Sequence, residues 1–188
     1  MPKLVNWESC CGCGACDNKC PKQAITMQPN QEGFLHPVVD AGKCVECGAC
    51  EKVCPGLSPA KNEKAKPSAF VVQHKDEIIR YQSTSGGAFT AIAEEVIRRG
   101  GVVFGASMTE DLVVKHVFVE GIEELAIFRN SKYVQSAIGD SYKHAKSFLN
   151  NGRWVCFSGT PCQINGLYKF LGRDYEHLIA VDVVCKSV

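Results

Sequence analysis

The chain has 188 residues with 21 Lys and Arg against 20 Asp and Glu, and this balance excludes several classes of protein. A formal net charge of +1 leaves no field of one sign to hold nucleic acid or an anionic membrane. No apolar run approaches the ~20 residues needed to span a bilayer. The first eight residues leave no room for a signal peptide. We therefore expect a soluble, cytoplasmic protein with no membrane span and no nucleic-acid partner.

Cysteine is the most informative residue type, because nine of the twelve cysteines lie in the first 54 residues. Eight of them form two copies of the motif C-x2-C-x2-C-x3-C-P, the second displaced by 34 residues, which is an internal repeat. In a reducing compartment such a pattern favours metal or redox chemistry over disulfides. The eight candidate ligands are Cys10, Cys13, Cys16, Cys20, Cys44, Cys47, Cys50 and Cys54.

This spacing is typical of 4Fe-4S clusters, in which the cysteine before proline ligates the other run's cluster. Cys54 is then predicted to complete the first set and Cys20 the second. Structural zinc is the alternative, although it prefers two separated C-x2-C pairs. Cys11 lies outside the register, as a thiol packed beside the cluster or as an alternative ligand. Residues 1–56 resemble the bacterial-type ferredoxin with two 4Fe-4S clusters.

The remaining elements predict a mixed α/β region behind a solvated linker at 57–68. We expect the strands at 102–106 and 112–119 to pair antiparallel, because only a short polar stretch separates them. The fold class is therefore α+β, with a ferredoxin-like module followed by a mixed α/β domain. In chain order, the predicted elements are a strand at 24–27, a strand at 69–73, a helix at 86–99, strands at 102–106 and 112–119, a helix at 141–149, a strand at 154–157, a helix at 162–171 and a strand at 178–184.

Three polar stretches of the second region are candidates for ligand binding. Residues 84–87 open a helix with two glycines that let a phosphate approach backbone amides, although an ordinary Ser cap also explains them. Residues 158–163 follow a buried strand, where α/β sheets bind ligands, although a capped turn with proline explains most of this stretch. Residues 130–136 offer polar groups on a loop, with surface solvation as the alternative. The candidate residues are Thr84, Ser85, Gly86, Gly87, Lys132, Tyr133, Gln135, Ser136, Gly159, Thr160, Pro161, Cys162 and Gln163.

Four motifs together carry a resemblance to a known family: STSGGAFT from residue 83, GGVVFG from residue 100, SKYVQS from residue 131 and SGTPCQ from residue 158. On these motifs, residues 69–188 resemble the coenzyme F-420 hydrogenase/dehydrogenase beta-subunit family, in which an N-terminal dicluster ferredoxin module is common. The resemblance implies that the candidate residues hold FAD. It also implies electron passage between the iron–sulfur clusters and a two-electron partner such as a reduced deazaflavin.

Two departures limit what the resemblance implies. Lys186 and Ser187 stand where the family has a His-Gly pair, and the chain stops where the family continues, so we expect a truncated member. The resemblance also implies a further 4Fe-4S cluster in a longer chain, with Cys162 and Cys185 as two of its ligands. Both could equally be ordinary thiols, and no catalytic residue is assigned.

The sequence thus predicts three segments: a dicluster ferredoxin domain at 1–56, the linker, and the N-terminal part of a flavin domain at 69–188. The preferred function is an iron–sulfur flavoprotein oxidoreductase with a redox partner protein or subunit. The alternative is a ferredoxin-type electron carrier whose second region only docks a catalytic subunit. A zinc-dependent nucleic-acid adaptor is disfavoured by the balanced charge. The histidines, none with a second histidine at ligand spacing, are predicted at the surface or at strand edges: His36, His74, His116, His144 and His177.

Overall fold

The computed structural model describes residues 1–58 and 67–185, and within them the chain is α+β. The predicted fold class is therefore confirmed. Most of the predicted linker at 57–68 lies outside the described residues, as do Lys186 and Ser187. None of the helices in the described ranges is long and apolar enough to cross a membrane.

The N-terminal module consists of a 3-10 helix, two short α-helices and one β-hairpin. The strand predicted at 24–27 forms as the first strand of that hairpin, but its partner was not predicted. Pro37 within the partner removes a backbone donor, which disfavours a strand except at a sheet edge, and a two-stranded sheet has only edges. The elements are a 3-10 helix at Trp7–Ser9, α1 at Ala15–Lys19, β1 at Ile25–Pro29, β2 at Leu35–Val39 and α2 at Ala49–Lys52.

The second region is one four-stranded sheet with helices on both faces. Its strand order is β4-β3-β5-β6, in which β4 pairs antiparallel to β3, as predicted, and the remaining pairs are parallel. The elements are α3 at Glu77–Tyr81, α4 at Ala88–Arg98, β3 at Val102–Met108, β4 at Val114–Val119, a 3-10 helix at Glu123–Phe128, α5 at Ser141–Asn150, β5 at Val155–Gly159, α6 at Pro161–Leu171 and β6 at Leu178–Asp182.

Each face of this sheet has its own hydrophobic core. On one face, α5 and α6 pack Tyr142 and Leu167 against Phe104 and Phe157, all fully buried. On the other face, α4 and the second 3-10 helix cover Val103 and its neighbours. The first core also contains Cys13 together with Ala15 and Val53 of the N-terminal module. The cysteine-rich module therefore shares a core with the α5–α6 side of the sheet.

The prediction of a strand at 69–73 is wrong. Residues 67–74 adopt no regular secondary structure, and the side chains of Phe70, Val71 and Val72 are exposed. The apolar and β-branched residues at 69–73 favour a strand, but in the described part of the chain this segment pairs with no other strand. It runs instead across the turn before α4, where the His74 amide donates to the Gly86 carbonyl at 2.6 Å.

Candidate iron–sulfur centre and the adjoining polar site

The sequence repeat is also a structural repeat. Gly14 and Gly48 precede α1 and α2 at equivalent positions, each with φ of 69° in the left-handed region that glycine tolerates. This conformation turns the chain sharply between the second and third cysteines of each run. Cys16 and Cys50 consequently occupy matching positions in the two helices.

The module contains two recesses, each lined by four cysteines of the repeat. They enclose about 350 and 380 Å³, partly open to solvent, and apolar side chains such as Leu4 and Ile25 line the remainder. In both recesses three cysteines come from one run and the fourth comes from the other. One is lined by Cys44, Cys47, Cys50 and Cys20, and the other by Cys10, Cys13, Cys16 and Cys54, with Cys11 beside them.

This geometry fits a pair of 4Fe-4S clusters, because each cube needs four thiolates around an apolar space rather than around one point. Burial raises the pKa of the Cys16 thiol to about 12, and it also raises the pKa of Cys10 and Cys50. Thiols of this kind stay protonated near neutral pH without a compensating cation. Loading iron must therefore release protons.

The two recesses differ in their distance from the α/β sheet. Cys13 is buried against α6, where a Cβ added at Gly166 would lie 3.2 Å from its Sγ. The hydroxyl of Tyr142 in α5 lies 2.9 Å from the Cys13 carbonyl oxygen and 2.8 Å from that of Gln163, so its one hydrogen is shared between the two segments. By contrast, Cys47 in the other recess is exposed. We call these the inner recess and the outer recess.

The fold explains both glycines of the predicted phosphate turn at 84–87 without a bound phosphate. A Cβ at Gly86 would lie 2.5 Å from the Val72 carbonyl oxygen, and Gly87 caps α4 with φ of +75°. Ser85 is exposed beside this helix start. The Thr84 hydroxyl donates to the Asn130 side chain at 3.4 Å, which brings this turn against the candidate loop at 130–136.

The residues of the loop at 130–136 do not form one binding site. Lys132 donates to the carbonyls of Ile127 and Arg129 at 3.1 and 2.7 Å, and burial lowers its pKa. Tyr133 is exposed. The Gln135 side chain accepts from the Leu35 amide at 2.6 Å and so reaches the hairpin of the cysteine-rich module. Gln135 therefore joins the two regions of the chain. The polar composition of the loop at 130–136 did not predict this contact.

Ser136 and the turn at 159–163 meet in a buried polar network centred on His116. Gln163 donates to the Ser136 hydroxyl at 2.9 Å, and that hydroxyl lies 3.0 Å from Nδ1 of His116. Nε2 of His116 lies 3.0 Å from the Ser158 carbonyl, while the Gln163 side chain accepts from the Thr160 amide. This pattern fits a neutral imidazole that donates from Nε2 and accepts at Nδ1. No hydrogen bond among residues 1–58 and 67–185 links this network to the turn at 84–87.

The predicted surface position of His116 is wrong, because the residue is only 6% exposed. Its ring stacks on Phe157 at 5.4 Å. One feature of the sequence indicated this burial: His116 lies two residues after Val114, and so on the same buried face of a predicted strand. Burial of its ring lowers the pKa of His116 from 6.5 to about 4.

We expect the free energy of unfolding to fall as the pH drops from about 6.5 to 4. In that window the unfolded chain protonates His116 while the folded chain does not, so protons favour unfolding by up to about 3 kcal/mol. Anaerobic urea titrations at stepped pH measure this fall. In a His116→Gln variant the free energy of unfolding should fall less over this pH range, by up to about 3 kcal/mol. An identical pH dependence in both proteins would contradict the burial of His116 as a neutral imidazole.

The three cysteines of the second region lie in different settings. Cys156 is fully buried in β5. Cys162 and Cys185 follow the ends of β5 and β6, which are parallel neighbours in the sheet with Gly159 paired to Asp182. Cys162 is partly exposed in the first turn of α6, and Cys185 is exposed.

Comparison with known families identifies the N-terminal module. Residues 9–56 match the 4Fe-4S dicluster domain, and this range contains both cysteine runs and so all eight cysteines of the repeat that line the two recesses. The alternative of structural zinc is thereby disfavoured. The chain contains an iron–sulfur electron-transfer module of the dicluster ferredoxin type.

One stretch of 30 residues is 59% identical to pyruvate synthase subunit PorD of Thermotoga maritima. It covers 16% of this chain and 30% of that protein, so the similarity concerns less than a third of PorD.

Proposed function

We propose that the chain is an iron–sulfur flavoprotein oxidoreductase of the coenzyme F-420 hydrogenase/dehydrogenase beta-subunit type, acting in the cytoplasm. Its domains are a dicluster ferredoxin domain at 1–56, a linker at 57–68 and part of a flavin domain at 69–188. The inner recess takes one 4Fe-4S cluster and the outer recess a second, with the four lining cysteines of the repeat as ligands in each. When bound, the clusters supply one-electron transfer, and FAD converts this to two-electron chemistry with a deazaflavin or similar carrier.

The crossed grouping of cysteines in the two recesses carries this proposal. Ligands from both runs in each recess would hold the two clusters side by side within one small module. The inner recess adjoins α6, whose first turn lies at the carboxyl end of β5. This end of a parallel strand is where open α/β sheets bind ligands. The arrangement supports electron exchange between the module and a site at that end of the sheet.

Fewer contacts in the structure support FAD binding than support the two clusters. The turn at 84–87 and the loop around Asn130 are in contact, and the α4 N-terminus beside Ser85 offers backbone amides to a phosphate. The glycines, Lys132, Ser136 and Gln163 already serve the fold, so their presence does not require a flavin. These structural roles favour the second candidate function, an electron carrier whose α/β region docks another subunit.

Flavin content separates the two functions. If FAD phosphates lie at the α4 N-terminus, Ser85→Asp should lower flavin retention at least several-fold through charge repulsion. Without a phosphate there, a carboxylate at a helix N-terminus is neutral or favourable by a few tenths of a kcal/mol. The measurement is the visible spectrum and the flavin released from anaerobically purified, flavin-loaded protein.

Ser147→Asp is the matched control, since it adds the same charge at an exposed position of α5 on the opposite face of the sheet. It should retain flavin like the parent. Gly86→Val is unsuitable for this test, because its side chain would collide with the Val72 backbone whether or not flavin is bound. Iron without flavin in the parent protein would favour the electron carrier.

A further inference from the structure

The Tyr142 hydroxyl is a buried polar group that contacts the loop of the inner recess from the side of the α/β sheet. Its one hydrogen is shared between the carbonyl oxygens of Cys13 and Gln163, at 2.9 and 2.8 Å. The side chain is fully buried, and its ring packs against Phe157 and Phe170 with centroids 5.6 and 5.9 Å away. Cys13 and Gln163 are buried too, so water does not compete for these carbonyls. The hydroxyl therefore fixes the direction in which the Cys13 carbonyl points.

The direction of this carbonyl also fixes the amide group that follows it. In a trans peptide the N–H points away from the preceding carbonyl, so the Gly14 N–H points away from Tyr142. Gly14 is buried and lines the inner recess together with Cys13. Its N–H has no acceptor among residues 1–58 and 67–185. Because buried N–H groups nearly always have a partner, this one is available to a group bound in the recess.

We propose that Tyr142 is a positioning residue that sets the reduction potential of the cluster in the inner recess, an inference that rests on the proposed function. By holding the Cys13 carbonyl toward α5 and α6, the hydroxyl leaves the Gly14 N–H as a hydrogen-bond donor to the cluster sulfurs. Reduction by one electron adds one negative charge to a cluster. Hydrogen bonds to the sulfurs stabilise that charge and so raise the reduction potential. Tyr142 contacts the loop of the inner recess, so the outer cluster is an internal control.

The test is a potentiometric titration of the full chain with its iron loaded, carried out without oxygen and monitored by electron paramagnetic resonance. The spectra of Cys13→Ala and Cys47→Ala protein assign the two cluster signals. In Tyr142→Phe the inner cluster should have a lower reduction potential than in the parent, because the released peptide can turn its N–H away from the cluster. The outer cluster should keep its potential. Tyr168→Phe removes a hydroxyl from the exposed side of α6 and is the matched control, which should leave both potentials unchanged.

A donor restored at the same place should reverse the effect. 4-Aminophenylalanine incorporated at position 142 keeps the ring and offers an N–H to the Cys13 carbonyl. It should return the inner potential toward the parent value, whereas a role in packing alone predicts no difference from Tyr142→Phe.

An unchanged or higher inner potential in Tyr142→Phe would overturn the proposal, as would an equal shift of both clusters or a failure of 4-aminophenylalanine to restore the potential. Loss of the inner cluster from Tyr142→Phe would also overturn it, because the hydroxyl would then be needed for cluster binding. Iron and flavin contents of the parent protein test the proposed function separately. A parent with about eight iron atoms and no shift in Tyr142→Phe would refute the role of Tyr142 alone.

Discussion

In a Cys54→Ala variant we expect the iron content to fall from about eight to about four atoms per chain. The surviving cluster should be the one in the outer recess, although Cys54 belongs to the second sequence run. The reason is geometric, because Cys54 lines the inner recess with Cys10, Cys13 and Cys16. Iron analysis gives the stoichiometry, and the electron paramagnetic resonance spectrum of the reduced protein identifies the remaining cluster.

Pairs of variants show which cluster is lost. Cys54→Ala and Cys13→Ala should leave the same spectrum, since both remove an inner ligand. Cys20→Ala and Cys47→Ala should leave the other spectrum, since both residues line the outer recess. Cys156→Ser is the control for losing a buried thiol and should keep both clusters. If Cys54→Ala instead matched Cys47→Ala, the crossed assignment would be wrong.

The second large effect is expected at Gly166, where α6 touches the cysteine loop. Its Cβ position lies 3.0 Å from the Tyr142 hydroxyl oxygen and 3.2 Å from the Cys13 Sγ, which leaves no room for a branched side chain. Gly166→Val should therefore destabilise the fold by about 2 kcal/mol or more. It should also lower iron retention in the inner recess, because relief of the clash displaces Cys13.

Tyr168→Val on the exposed side of the same helix is the matched control. It introduces the same β-branched side chain into α6 without reaching the cysteine loop. Urea unfolding and iron content of the two variants, measured without oxygen, make the comparison. Equal stability and equal iron content would mean that the contact between α6 and Cys13 contributes little.

The iron–sulfur module is predictable from the sequence alone, because its chemistry depends on local spacing. Three cysteines within seven residues must lie close together in any compact loop, and a second identical run supplies the rest. Helices and strands of the sheet followed from hydrophobic periodicity in the same local way. The strand predicted at 69–73 failed because a strand also needs a partner, and local composition does not contain one.

Contacts between segments that are distant in the sequence could be seen only in the folded structure. His116 is buried because the buried face of β4 meets the turn after β5, which depends on the strand order of the sheet. Position 86 must be glycine because the backbone of Val72, outside the motif that contains Gly86, passes too close to leave room for a Cβ atom. Cys13 and Gly166 are neighbours because α6 packs on α1, a contact that periodicity in either segment could not specify. Such placements arise from how whole elements pack, since sequence spacing constrains only residues within a few turns of each other.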